Sequence, residues 1–178
     1  MDQNELEQLR FPAGRFQWIE EISAFQRTEL IAVLRQFPEQ LKKVVENFEA
    51  ADFKNTYRPD GWSAAQVIHH LADSHMHSYL RFKHTYTEDT PTITPYDEGA
   101  WSCLSDGSDH DVQASLKILE GVHHRWCQFL DAFTTEDFDR KYYHPQLKIY
   151  FSLDQALALY AWHCKHHLEH VKNCKITA

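Results

Sequence analysis

Four histidines fall within the eight residues from His163 to His170, in the stretch "YAWHCKHHLEH". Histidine is a mediocre helix former, and crowded imidazoles each need a polar partner once buried, so the cluster asks for a chemical reason. It contains two H-x-x-x-H pairs, His163/His167 and His166/His170. Residues four apart on a helix have Cβ atoms about 5–6 Å apart on one face. Two ring nitrogens so placed can reach one cation at ~2.1 Å each. Two ligands alone hold a metal weakly, and a catalytic centre normally uses three with one position left open. The third must come from elsewhere, and "VIHHLADSHMH" offers His69, His70, His75 and His77.

Which rings converge depends on the helices that carry them. With His163 at zero, Ala156, Tyr160, Leu153, Val171 and Cys164 fall between about 20° and about 100° around the last helix, an apolar face centred near ~70°. His167 lies near ~40° and His163 at the edge, so this pair is expected to look into the protein. His166 and His170 fall outside the face and read as surface or supporting residues. A wheel zeroed at His70 places His75, near ~140°, within the apolar face of Val67, Leu71 and Phe82, and turns His69 away, near about −100°. His75 is thus expected in the core, and His69 and His77 mostly at the surface. His70 flanks the face, and geometry alone leaves it a candidate.

The elements themselves read as helices. Ile22, Phe25, Leu30, Val33, Leu34 and Phe37 recur at helical spacing from about Trp18 to Gln36. Pro38 is expected to break that helix, with "PEQLKKVVENF" restarting at once. Ser63/Gln66 and Ser152/Gln155 have the spacing of capping boxes. They open the two histidine-rich helices, the first running through Tyr86. Residues 88–109 read as a long irregular stretch, a length that is uncommon unless the segment covers a site. Helical spacing returns over about Val112 to Phe133. "KYYHPQLKIYFSL" then predicts a short β-hairpin turning near Pro145 and Gln146. The pattern predicts an all-α bundle of four or five long helices with a small hairpin before the last, one domain over residues 1–178.

A formal charge of −8 and the lack of a basic block argue against a nucleic-acid surface. No run approaches the ~18 apolar residues of a membrane span, and the polar start "MDQNELEQLRFPAGRF" does not resemble a secretory signal. The expected address is the cytoplasm, with Cys103, Cys127, Cys164 and Cys174 as reduced thiols.

"GWSAAQVIHHLADSHMHSYLRFK", "TPYDEGAW", "HHRW", "YYHP" and "LALYAWHCKHHLEH" together resemble the YfiT-type metal-dependent hydrolases of the DinB-like helical bundles. The similarity keeps the same order from Gly61 to His170; the earlier "RFPAGRF" is a looser match. The resemblance implies an up-down helical bundle, a cytoplasmic location and a homodimer. It also implies that three histidines hold one divalent cation, zinc or nickel. These are the second histidine of "HHLAD", here His70, and the pair after "YAW", here His163 and His167. Some relatives of this type are grouped with S-transferases that join a low-molecular-weight thiol such as bacillithiol to an electrophile, and others with hydrolases.

A cation held by three neutral imidazoles keeps its charge and a free position, so water or a thiol bound there is deprotonated near neutral pH. The expected function is attack by that water or thiol on a small electrophilic substrate, with Tyr96, Asp97 and Trp101 in the loop over the mouth. Asp73 is a candidate partner for a ligating imidazole, though a solvated or ion-paired carboxylate is the commoner role. Cys164 reads as a packing residue. Glu120/His123 is a single E-x-x-H, whereas a di-iron bundle needs two plus two further glutamates, so that chemistry is set aside. Trp62, Trp101, Trp126 and Trp162 read as core or loop anchors. The rival classes are a non-catalytic bundle stabilised by metal and a small-molecule binding module.

Overall fold

The computed structural model describes residues 2–175. Four long helices dominate: α2 (Ala24–Val45), α3 (Ala64–Thr87), α5 (Gln113–Leu130) and α7 (Leu153–Asn173). Short helices α1 (Gln3–Arg10), α4 (Glu98–Trp101) and α6 (Thr135–Phe138) join them, with strands β1 (Lys141–His144) and β2 (Ile149–Ser152). The strands pair antiparallel, Lys141 opposite Ser152 and His144 opposite Ile149, around a turn at 145–148. The helical bundle with a hairpin before its last helix is as expected. Among the described residues, no helix is long and apolar enough to cross a membrane.

Local chemistry accounts for where the long helices begin. Ser23, Ser63 and Ser152 each cap a helix, and the glutamine three residues on (Gln26, Gln66, Gln155) bonds back to the capping residue's backbone. Two such satisfied donors fix each helix start. The first long helix therefore starts at Ala24 and not near Trp18. Pro38 also departs from expectation: α2 runs through it unbroken. Proline removes the N–H that would bond the carbonyl four residues back, here that of Leu34. That carbonyl instead lies 2.6 Å from Nδ1 of His123 on α5.

Contacts between named residues give the helix directions. Arg27 binds Asp154 near the start of both α2 and α7, and Lys175 binds Asp52 beyond their ends, so these two helices run together. His69 meets Ser115, Phe82 meets Trp126 and Tyr86 meets Phe129, so α3 and α5 also run together. Leu34 opposite His123 and Ile31 opposite Cys127 set α2 against α5. Ser74 opposite Tyr160 and His70 opposite His163 set α3 against α7. Chain order is therefore up, down, down, up. Because α3 spans about 36 Å, a parallel α5 can begin only after the chain has returned along the bundle. The 88–112 segment makes that return. It adds to the hairpin through Tyr143 N–H to Pro91 O, 2.9 Å, and Ile93 N–H to Tyr143 O, 3.1 Å. It also contains α4, one more turn of helix than the sequence suggested.

Trp126, Phe37, Phe82, Leu34, Leu71 and Leu157 are fully buried in the core between the long helices. The residues before α2 lie across the outer side of α7. Trp162 Nε1–H donates to Gly14 O at 3.0 Å, and the Phe11 and Phe16 rings face His166 and Trp162.

Candidate metal centre

His70 lies in the second turn of α3, behind the Ser63 cap, and faces His163 and His167 on the antiparallel α7. Nε2 of His70 is 3.3 Å from Nε2 of His163. Ring centroids are 5.0 Å apart for His70/His167 and 4.4 Å for His163/His167. One nitrogen from each of the three rings lies within 4.8 Å of the others. Two donors each ~2.1 Å from one ion at the tetrahedral angle are about 3.4 Å apart, so the His70–His163 separation suits a shared cation. Burial lowers the pKa of His70 to about 4 and holds His163 and His167 well below their ordinary value. The rings are therefore neutral at pH 7 with lone pairs free, the state a ligand requires. His167 is buried, while His70 and His163 are half-buried.

Other rings hold these three in place. His163 Nδ1 is 3.0 Å from His75 Nε2, and His75 Nδ1 is 2.6 Å from His123 Nε2. His167 Nδ1 is 3.2 Å from His170 Nδ1. The Trp62 indole leans on His70 at 4.8 Å. Asp73 is half-buried, and burial, with Asp106 adding to it, raises its carboxyl pKa. Among the described residues it hydrogen-bonds none of the three rings.

An open cleft of ≈ 580 Å³ is lined by Trp62, Pro95, Tyr96, Asp97, Glu98 and Gly99, with Gln146 from the hairpin turn. The three histidines do not line it, and Trp62, 4.8 Å from His70, connects the two. Tyr96 stacks on His77 at 4.4 Å and meets Trp101 at 4.7 Å. The 88–112 return thus forms one wall, and Trp62 joins that wall to the histidines.

The DinB superfamily model matches residues 25–171, nearly the whole span from α2 to α7. The chain belongs to the DinB superfamily. Over 163 residues it is 45% identical to YfiT of Bacillus subtilis, covering 92% of each chain. A relative from Bacillus licheniformis is 38% identical over 94% of this chain and 95% of its own, and one from Oceanobacillus iheyensis 39% over 93% and 96%. All three carry the provisional name of metal-dependent hydrolase. A solved YfiT structure, described as "a probable metal-dependent hydrolase with an unusual four-helix bundle topology", aligns with a TM-score of 0.91. It is 44% identical, with 94% of this chain and 95% of that one covered.

Two further sets in this DinB-superfamily chain bring three donors within 4.8 Å: His166/His167/His170 and His75/His123/Cys164. All six of those residues are buried; His123 lies at the floor of a cleft between α2 and α5 but is only 1% exposed. Burial pushes the Cys164 thiol well up, which keeps it protonated and a poor ligand. Its packing role is as expected, and so is the core position of His75, 0% exposed.

Three other histidines read as surface or supporting residues, and all three are buried. His166 and His170 are 7% and 2% exposed, because Trp162 and Phe11 cover the first and Tyr57 stacks on the second at 3.8 Å. His69 is 8% exposed, pinned by its Nε2–H to Asp109 O at 3.0 Å and by Ser115 Oγ at 2.8 Å from Nδ1. A wheel sees only one bundle face, and here loops and neighbours bury the others. Sequence reasoning missed the supporting part of His123, whereas His170, 3.2 Å from His167, takes the supporting role that was one of its two readings. A signal existed: a histidine within an apolar face needs a buried polar partner, and a proline within a helix frees a carbonyl.

Proposed function

We propose that this protein is a metal-dependent enzyme in which His70, His163 and His167 hold one divalent cation, zinc or nickel. It acts there on a small electrophilic substrate. One observation carries the proposal: of the three donor sets, this one alone has members that are only half-buried, so an ion and a substrate could reach it. When bound, such a cation supplies Lewis-acid character and lowers the pKa of water or a thiol, making a nucleophile at neutral pH. The chain's own residues do the rest. Three neutral rings leave the ion's charge uncancelled. Trp62 and Tyr96 offer aromatic surface to the body of a substrate, and the Gln146 amide offers a polar contact. Trp62 packs against His70 with ring centroids 4.8 Å apart. Both hydrolysis and transfer of a low-molecular-weight thiol of the bacillithiol type fit this arrangement. A homodimer in the cytoplasm belongs to the same reading, and sedimentation equilibrium would test the dimer.

The experiment is elemental analysis of tag-free protein beside His70→Ala, His163→Ala and His167→Ala, with circular dichroism to establish folding. About one ion per wild-type chain is expected, with a loss of at least tenfold in affinity for each variant. Matched assays then follow thiol loss with an electrophile and hydrolysis of simple esters and amides. Turnover that persists in metal-free protein would sink the proposal. Full metal occupancy without turnover of any of these substrates would favour a metal-stabilised, non-catalytic bundle.

A further inference from the structure

The row of rings that begins at His163 ends at backbone. It passes from His163 Nδ1 to His75 Nε2 (3.0 Å), from His75 Nδ1 to His123 Nε2 (2.6 Å), and from His123 Nδ1 to the Leu34 carbonyl (2.6 Å). That carbonyl can only accept. It is available because residue 38 is proline: the helical ladder would otherwise give the carbonyl of residue 34 to the amide of residue 38. His75 and His123 are 0% and 1% exposed, among Phe37, Trp126 and Tyr160. Among the described residues no carboxylate hydrogen-bonds either ring, and a buried imidazole without one is neutral.

A fixed acceptor at one end then orders every proton in the row. His123 carries its hydrogen on Nδ1, so its Nε2 is bare and accepts from His75 Nδ1–H. His75 Nε2 is bare in turn and accepts from His163 Nδ1–H. His163 is left with a bare Nε2, the atom that lies 3.3 Å from His70 Nε2. We propose that this row is a positioning relay in which the Leu34 carbonyl, released by Pro38, sets through His123 and His75 the tautomer and orientation of His163, aiming its Nε2 lone pair at the metal. The proposal rests on His163 being a ligand. Metal-binding imidazoles are commonly oriented by a carboxylate or carbonyl on the other nitrogen; here two further imidazoles pass that constraint through the core. His75 and His123 are positioning residues, since neither touches the cation or the substrate.

Two measurements test it. Long-range proton–nitrogen correlation spectra of metal-stripped, histidine-labelled protein should show His163, His75 and His123 all as the Nδ1–H tautomer; an Nε2–H His163 overturns the relay. Zinc affinity, read by competition with a chromophoric chelator, should fall about 10–100-fold in His75→Leu. His75→Gln should recover most of that loss, because its amide can accept from His163 and donate to His123. Simple core filling predicts the reverse order, since leucine suits apolar surroundings better than a primary amide. A His75→Leu protein that is folded and binds zinc like the wild type overturns the relay. If the wild type takes up no zinc, the ligand assignment itself fails, and the tautomer spectra still decide the relay.

Discussion

His70, His163 and His167 are neutral for a reason that also shapes their response to acid. Buried imidazoles resist the second proton, and His123, deep in the core, is displaced from 6.5 to about 4. The sign of the linkage follows. As pH falls below 6.5 the unfolded chain takes up a proton that the folded chain refuses. This stability is therefore complete above pH 6.5 and is lost between 6.5 and about 4. For His123 alone the loss is about 3 kcal/mol, and His166 and His170, each at about 4, act in the same direction. Urea unfolding of metal-stripped protein should show midpoints falling steeply from pH 7 to pH 4.5; a flat profile would contradict the burial of these rings. The residue types and the i, i+4 spacing of the pair on α7 were legible from the sequence. The wheel could not choose among His69, His70, His75 and His77 on α3, because it gives direction around one axis and says nothing about distance to another helix; the resemblance of "HHLAD" to the family motif named His70.

At the scale of elements, periodicity and capping did most of the work. Ser63 was readable as the start of α3, and it anchors the helix about two turns before His70. Ser63→Ala should lower stability by about 1 kcal/mol, measured by urea unfolding. An unchanged midpoint would mean that the cap is not what fixes the helix start. The tie between α2 and α7 was invisible, because no sequence pattern links residues 127 positions apart. Arg27 donates from Nε and Nη2 to the two carboxylate oxygens of Asp154 at 2.8 and 2.6 Å, and both side chains are nearly covered. Replacing one partner strands a buried charge, so Asp154→Ala should lose about 3 kcal/mol, whereas the apolar pair Arg27→Met with Asp154→Leu should lose much less. Equal losses would show that geometry matters here more than charge. Pro38 was misread for a related reason. The rule that proline ends a helix assumes that the freed carbonyl goes unsatisfied, and His123 supplies the missing donor.

Across the whole molecule, the candidate ligands come from helices that run in opposite directions, with the 88–112 return between them in the chain. A cation held by α3 and α7 together would brace the bundle. With free zinc at a thousand times its dissociation constant, linkage stabilises by about 4 kcal/mol, a rise in Tm of roughly 10 °C for a chain of this size. Calorimetry with and without chelator should show that rise in the wild type and not in His167→Ala; equal rises in both would point to zinc binding elsewhere. From sequence alone came the helical class, the capped helix starts, the hairpin and the histidines able to ligate, because propensity and periodicity act over a few residues. Tertiary structure alone decided the up, down, down, up order, the burial of His69, His166 and His170, and the row from Leu34 to His163. Each of these depends on which surfaces meet across the bundle, and that is settled by packing of the entire chain at once.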